Sequence, residues 1–351
     1  MSTATLRTTD GVEYVVPCQP DTTLLVAAEE AGHILASGCR HGACGMCRAT
    51  LVAGQMRLGA HIDHALSAAD EAAGGTLLCC GFPETDVTIE LPYDSSRVVQ
   101  GTIPLRRATI TSIEKLPGDI VRLRVRVVAD EENGSGLVFE AGQYADLTPP
   151  DSSQSRAFSF ASLSSWDGDA EFLIKAGPEG FFAQYLTTRA KVGDVLTLRG
   201  PQGDFTLRDY GLRPRWMICG GSGLAPLLAM LRQMADRGET NDALLVVGVD
   251  TPDQVFATAE LAELQRALPS LRVIVPVWHP DASWTGPVGS AADVLDAELA
   301  KLADDAERPD LYLCGPDGFL DAARNAASAH GVPAEQLYVE TWPSEAPGPK
   351  H

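Results

Sequence analysis

The stretch Cys39–Cys47, CRHGACGMC, decides how this chain reads. Cys39, Cys44 and Cys47 form a C-x4-C-x2-C run, and Cys79 follows later, within TLLCC. Each iron of a 2Fe-2S cluster takes two thiolates. Three thiolates from one tight loop and a fourth from a distance have the spacing that closes such a cage. The loop must turn its amide N–H groups toward sulfur, and Gly38, Gly42 and Gly45 relieve the backbone crowding that follows. Structural zinc sites usually come as two C-x2-C knuckles, and only Cys44 and Cys47 have that spacing. His41 raises a Rieske-type ligand set of paired histidines and cysteines, but a full cysteine set is already present.

The flanking segments suit the same small domain. Residues 4–9 and 12–17 read as a hairpin around Asp10-Gly11. Thr22 or Thr23 can cap a helix through LLVAAEEA, which Gly32 stops. A strand follows at RATLVAG, and Ser67 with Asp70 reads as a capping box for a short helix before Gly74. TLLCC and VTIEL then read as two further strands. This is β-grasp ordering, and residues 1–93 resemble plant-type ferredoxins. The resemblance makes Cys79 the fourth ligand. Neighbours on a strand face opposite ways, so Cys80 reads as a small buried hydrophobe, as do Cys18 and Cys219.

Composition narrows the class. A chain of 351 residues suits two or three domains, and 45% hydrophobic residues are ample for their cores. The N-terminus, MSTATLRTTD, is polar and unlike a signal peptide, and no apolar run is long enough to span a membrane. Eight cysteines without a secretory signal predict a cytoplasmic protein whose thiols bind metal. A net charge of −20 argues against nucleic acid as a partner. Up to Gln100 there are twelve acidic residues against five arginines and no lysine. That surface suits either a basic docking partner or solubility alone.

DSSRVVQG reads as a polar linker, after which the patterning changes. VRLRVRVV alternates strictly and places Arg122, Arg124 and Arg126 on one face of a barrel strand, read as solvated. RAFSFAS, Arg156–Ser162, resembles the R-x-[YF]-[ST] flavin motif of the ferredoxin–NADP reductase family. GQY precedes it, and EFLIKAGPEGFFAQYL and GDVLTLRGPQGDF follow in the family order. The resemblance implies that Arg156 binds the flavin pyrophosphate, that Phe158 stacks on the isoalloxazine and that Ser159 hydrogen-bonds N5. Gly180, Phe181 and Phe182 open a helix whose N-terminus holds phosphate. Ala183 stands where the family usually has serine or threonine, so one side-chain phosphate contact is missing. The domain order implies FAD rather than FMN.

From near Tyr210, strands such as WMIC, ALLVVGV, LRVIVPV and LYLC alternate with helical segments, which predicts a parallel α/β sheet. CGGSGLAP, Cys219–Pro226, is not G-x-G-x-x-G but resembles the GG-[ST]-G-x-AP loop of the same reductases. It implies that Gly220, Gly221, Ser222 and Gly223 approach a pyrophosphate. CGPDGFL resembles the family's CGP motif and places Cys314, Gly315 and Pro316 beside a nicotinamide. Asp250, after VVGVD, stands where NADPH enzymes carry Arg or Lys, which favours NADH. YVETW resembles the terminal segment that covers the flavin, with Glu340 near N5 and Trp342 on the ring.

These motifs divide the chain into a ferredoxin domain at 1–97, an antiparallel β-barrel FAD domain at 102–208 and a parallel-sheet NAD domain at 209–351. Such a chain resembles the reductase components of bacterial multicomponent oxygenases, closest in look to those of soluble di-iron monooxygenases. Reductases of Rieske-type dioxygenases and of a deoxysugar dehydrase share the three domains. The resemblance implies a monomer that takes hydride from NADH and passes single electrons to an oxygenase hydroxylase component, with Ser159, Cys314 and Glu340 at the point of transfer.

Overall fold

The structure is a computed structural model that describes residues 2–40, 42, 44–63, 65–177, 180–208, 211–303 and 305–341. Two compact units emerge. One holds the residues up to Pro104 together with Thr341, and the other spans Leu105–Glu340.

In the first unit, β1 (Ser2–Arg7) and β2 (Glu13–Cys18) form the antiparallel hairpin, and α1 (Leu24–Glu30) follows. The Thr23 hydroxyl accepts from Val26 N at 3.4 Å and so caps α1. Helix α1 buries Leu24, Leu25, Ala27 and Ala28, and each leucine withdrawn from water contributes about 1.5–3 kcal/mol. Then come β3 (Arg48–Ala53), α2 (Ala68–Ala72), β4 (Gly75–Leu77) and β5 (Val87–Glu90). The sheet order is β2-β1-β5-β3-β4, with β1 and β5 parallel. The first late strand is shorter than expected: it ends at Leu77, and Leu78–Cys80 form a turn. The linker reading of DSSRVVQG also changes. Asp94 caps a single turn over Ser95–Arg97, and Val99–Gln100 pairs antiparallel with His33–Ile34 inside this unit. A two-residue strand is too short to show periodicity.

The second unit opens with six antiparallel strands: β6 (Leu105–Leu116), β7 (Ile120–Val127), β8 (Tyr144–Thr148), β9 (Arg156–Ser159), β10 (Asp169–Lys175) and β11 (Val195–Gln202). Their order is β9-β8-β11-β6-β7-β10, and a bridge between Phe160 and Phe172 joins the two edges into a barrel. Val121, Leu123, Val125 and Val127 face the core, as the alternation predicts. The opposite face is solvated at Arg124 and Arg126 but not at Arg122. The Arg122 side chain is only 13% exposed and pairs with Glu114, Glu171 and Glu260, while Arg124 pairs with Glu171 and Arg126 with Asp169. Alternation reports which face a residue is on, not what another element lays over that face.

Helix α3 (Phe181–Thr188) lies between β10 and β11. Beyond the barrel, β12 (Arg215–Gly220), α4 (Leu224–Asp236), β13 (Ala243–Gly248), α5 (Thr258–Ala267), β14 (Leu271–Ile274), α6 (Ala291–Leu299), β15 (Asp310–Cys314), α7 (Asp317–Ala329) and β16 (Leu337–Glu340) alternate. All strand pairs are parallel, in the order β14-β13-β12-β15-β16. The order reverses between β12 and β15. In such sheets the crevice outside the carboxyl ends at the reversal is where ligands bind.

Candidate functional site

The first candidate centre is the cysteine loop. The four thiols fall into two pairs. Cys39 and Cys44 exchange contacts, Cys44 N donating to Cys39 Sγ at 3.3 Å and Cys39 N to Cys44 Sγ at 3.4 Å. The sulfurs of Cys47 and Cys79 stand 3.2 Å apart. Met46 N also donates to Cys44 Sγ, at 3.5 Å. Among the described residues no three His, Cys, Asp or Glu side chains converge as one metal ion demands. Two pairs are instead what two irons require, so the residues fit a 2Fe-2S cluster. As free thiols, Cys44 and Cys47 are pushed well up, first by bonds to Cys39 and Cys79 and then by burial. Gly42 sits at φ +80, and a Cβ there would meet Ala60 O at 2.8 Å. Cys79 and Cys80 lie on a turn, so strand alternation cannot separate them; Cys79 Sγ stands 3.2 Å from Cys47 Sγ, and the Cys80 thiol also contacts Cys79. His41 lies outside the described residues.

The residues expected to hold flavin come together on β9 and α3. The rings of Phe158 and Phe182 lie 4.8 Å apart, and the Arg156 guanidinium stands 5.4 Å over Phe181. Gly180, at φ +98, precedes α3 without a side-chain cap, and no atom of the described residues lies within 4 Å of where its Cβ would be. The first N–H groups of such a helix are what a phosphate can use. Ala183 is buried and adds no hydroxyl.

The nucleotide loop follows from the sheet. Gly220 ends β12, Gly221–Gly223 make one tight turn and Leu224 begins α4. A Cβ on Gly223 would stand 2.5 Å from Cys314 O, so only glycine lets the loop close on β15. Gly221 is left-handed at φ +50, and no atom of the described residues lies within 4 Å of where its Cβ would be, which suits a pyrophosphate. Ser222 lies between these two glycines, half-buried. Gly315 and Pro316 follow β15 and lead into α7.

Cys219, Cys314 and Glu340 stand in register across β12, β15 and β16. Ser159 donates its hydroxyl to Glu340 Oε2 at 2.7 Å, and Cys314 Sγ lies 3.8 Å from the same oxygen. The three residues expected at the transfer point thus meet where the flavin strand reaches the carboxyl edge of the sheet. Burial first, then the Glu340 carboxylate, pushes the Cys314 thiol well up, which keeps it protonated.

Asp250 lies just past β13 and has a partner the sequence does not announce. His279 Nδ1 is 2.5 Å from Asp250 Oδ1, and His279 N donates to Asp250 O at 2.7 Å. Trp278, 61% exposed, stacks against His279. Neither residue carries a motif, and the bridges of Val277 with Val249 and Val288 that place them are long-range. Trp342 lies outside the described residues. Among the described residues no helix is long and apolar enough to cross a membrane.

The chain matches three family models: a 2Fe-2S iron-sulfur cluster binding domain over residues 7–84, an oxidoreductase FAD-binding domain over 107–207 and an oxidoreductase NAD-binding domain over 217–325. It is 34% identical over 332 residues to the propane 2-monooxygenase reductase component of Rhodococcus jostii (strain RHA1), covering 93% of this chain and 88% of that one. Over 338 residues it is 31% identical to the toluate 1,2-dioxygenase electron transfer component of Pseudomonas putida, covering 96% and 97%. Among solved structures, the Amycolatopsis cytochrome P450 reductase GcoB superposes with a TM-score of 0.78 at 25% identity, covering 97% of this chain and 99% of that one. With its three domains in this order, the chain belongs to the family of 2Fe-2S, FAD- and NAD-binding reductases that serve as electron-transfer components of oxygenases.

Proposed function

We propose that this chain is the NADH-dependent reductase of a soluble di-iron monooxygenase and delivers electrons to its hydroxylase component. The observation that carries the reading is the meeting of Ser159, Glu340 and Cys314 at the reversal point of the parallel sheet. Bound FAD would take two electrons as hydride from NADH and release them singly to a 2Fe-2S cluster. Arg156, Phe158, Gly180, Phe181 and Phe182 would hold the flavin, with Ser159 hydrogen-bonding its N5. Gly220, Gly221, Ser222 and Gly223 would hold the nucleotide pyrophosphate, with Cys314, Gly315 and Pro316 against the nicotinamide. Glu340 orients the Ser159 hydroxyl, and the two together hold a proton beside the transfer point. Cys39, Cys44, Cys47 and Cys79 would hold the cluster.

The propane 2-monooxygenase reductase and methane monooxygenase component C among the relatives support the choice of acceptor. The toluate dioxygenase relative supports a Rieske-type acceptor as the second reading. We place the protein in the cytoplasm as a monomer. The test mixes the purified chain with NADH and, separately, with a di-iron hydroxylase and a Rieske oxygenase. Faster NADH oxidation with the hydroxylase supports the first reading, and acceleration by the Rieske oxygenase alone supports the second.

A further inference from the structure

Four charged side chains form a closed ring of alternating sign where the flavin barrel meets the nucleotide sheet. Arg122 on β7 pairs with Glu260 on α5 at 2.7 Å, and Glu260 pairs with Arg232 on α4. Arg232 reaches Glu171 on β10 at 3.2 Å, and Glu171 returns to Arg122 at 3.6 Å. Glu114 and Arg124 flank the ring, pairing with Arg122 at 3.5 Å and with Glu171 at 2.8 Å. Two members come from the barrel and two from the sheet's helices. Arg232 also donates to Ala161 O at 2.6 Å, while Ala161 N donates to Glu171 O at 2.7 Å. Ala161 lies two residues past Ser159, and α4 begins at the end of the glycine loop. One guanidinium thus joins the strand that carries Ser159 to the helix that carries the nucleotide loop. Arg232 and Glu260 lie outside every motif of the sequence, and no local pattern brings them to Arg122 and Glu171.

We propose that Arg232, held by Glu260 and Glu171, is a positioning residue that fixes the flavin strand relative to the nucleotide loop. The inference rests on the hydride-transfer reading of the Ser159–Glu340–Cys314 site. Its physical basis is that transfer between two bound groups depends steeply on their separation, and a guanidinium satisfied by three acceptors at once resists rotation better than any single pair. The ring is mostly buried, which weakens solvent screening.

The test uses the full-length holoprotein and its variants Arg232→Met, Arg232→Lys and Glu260→Gln. Arg232→Met should slow flavin reduction by NADH about tenfold or more in stopped flow, with the apparent NADH affinity within about threefold of wild type. Backbone amides of residues 159–162 should exchange hydrogen faster, a readout independent of turnover. Lysine keeps the charge but not the fork, so Arg232→Lys should fall between. Flavin content and the cluster spectrum should match wild type in each variant. Glu260→Gln serves if Arg232→Met does not fold, and it should show the same split in milder form. Wild-type rates and exchange in these variants would overturn the proposal. Failure of NADH to reduce the wild-type flavin would instead overturn the reading beneath it.

Discussion

Glu340 receives the Ser159 hydroxyl and faces the Cys314 thiol, and each partner arrives on a different strand. A carboxylate there accepts from Ser159 and fixes which way the serine hydrogen points. Glutamine keeps the size but can turn an NH2 toward the serine. Glu340→Gln should slow hydride transfer about tenfold while leaving flavin content unchanged, as read by stopped-flow bleaching of the flavin band. At the cluster, Cys79→Ser should yield protein with little iron or acid-labile sulfide, while Cys80→Ser should stay brown. Bleaching by Cys80→Ser alone would reassign the ligand. Asp250 should disfavour NADPH by roughly 10- to 150-fold in kcat/KM, since a half-exposed carboxylate beside a doubly charged phosphate costs about 1.5–3 kcal/mol. Asp250→Arg should shrink that gap, because a guanidinium gives the phosphate a charge-assisted partner. Equal use of the two nucleotides by wild type would show that Asp250, clamped by His279, faces away from the ribose.

Among the elements, the Gly221–Gly223 turn is the most constrained. Gly223→Ala would drive a methyl group onto Cys314 O, so it should cost about 1–3 kcal/mol and lower the unfolding temperature in calorimetry. Such glycine loops were legible in sequence because backbone approach demands glycine at fixed offsets, and the strands of the parallel sheet because runs such as ALLVVGV are buried on both faces. A cap at Thr22 or Thr23 was legible because its chemistry is local, and the fold uses Thr23. Other features were not. The end of β4 at Leu77 depends on Leu78 N donating to Cys47 O and Leu78 O accepting from Leu25 N, contacts that no local pattern encodes. Arg122 read as exposed because its cover, α5, lies far along the chain. His279 has no local signal, because the bridge of Val277 with Val249 that places it joins segments distant in the chain.

For the whole molecule, the two units assign separate tasks. Because Val99–Gln100 pairs within the first unit, a clean cut falls after Pro104. A fragment beginning at Leu105 should bind FAD and let NADH reduce small dyes, yet lose transfer to cytochrome c and to the oxygenase. Retained transfer to the oxygenase would show that electrons leave by a route other than the cluster. The turn that carries Cys79 has a further consequence. Leu78 is fully buried in the same core as Leu24, Leu25 and Cys47 and is bonded through its backbone to α1 and to the cysteine loop. On the proposed ligand set, the fourth thiol is therefore delivered by tertiary packing, and the ligands would be complete only when that core has formed. Iron loading and core consolidation become one thermodynamic event. Oxidants that strip the cluster should then do more than halt electron flow: they should expose the buried leucines and leave the reductase open to proteolysis.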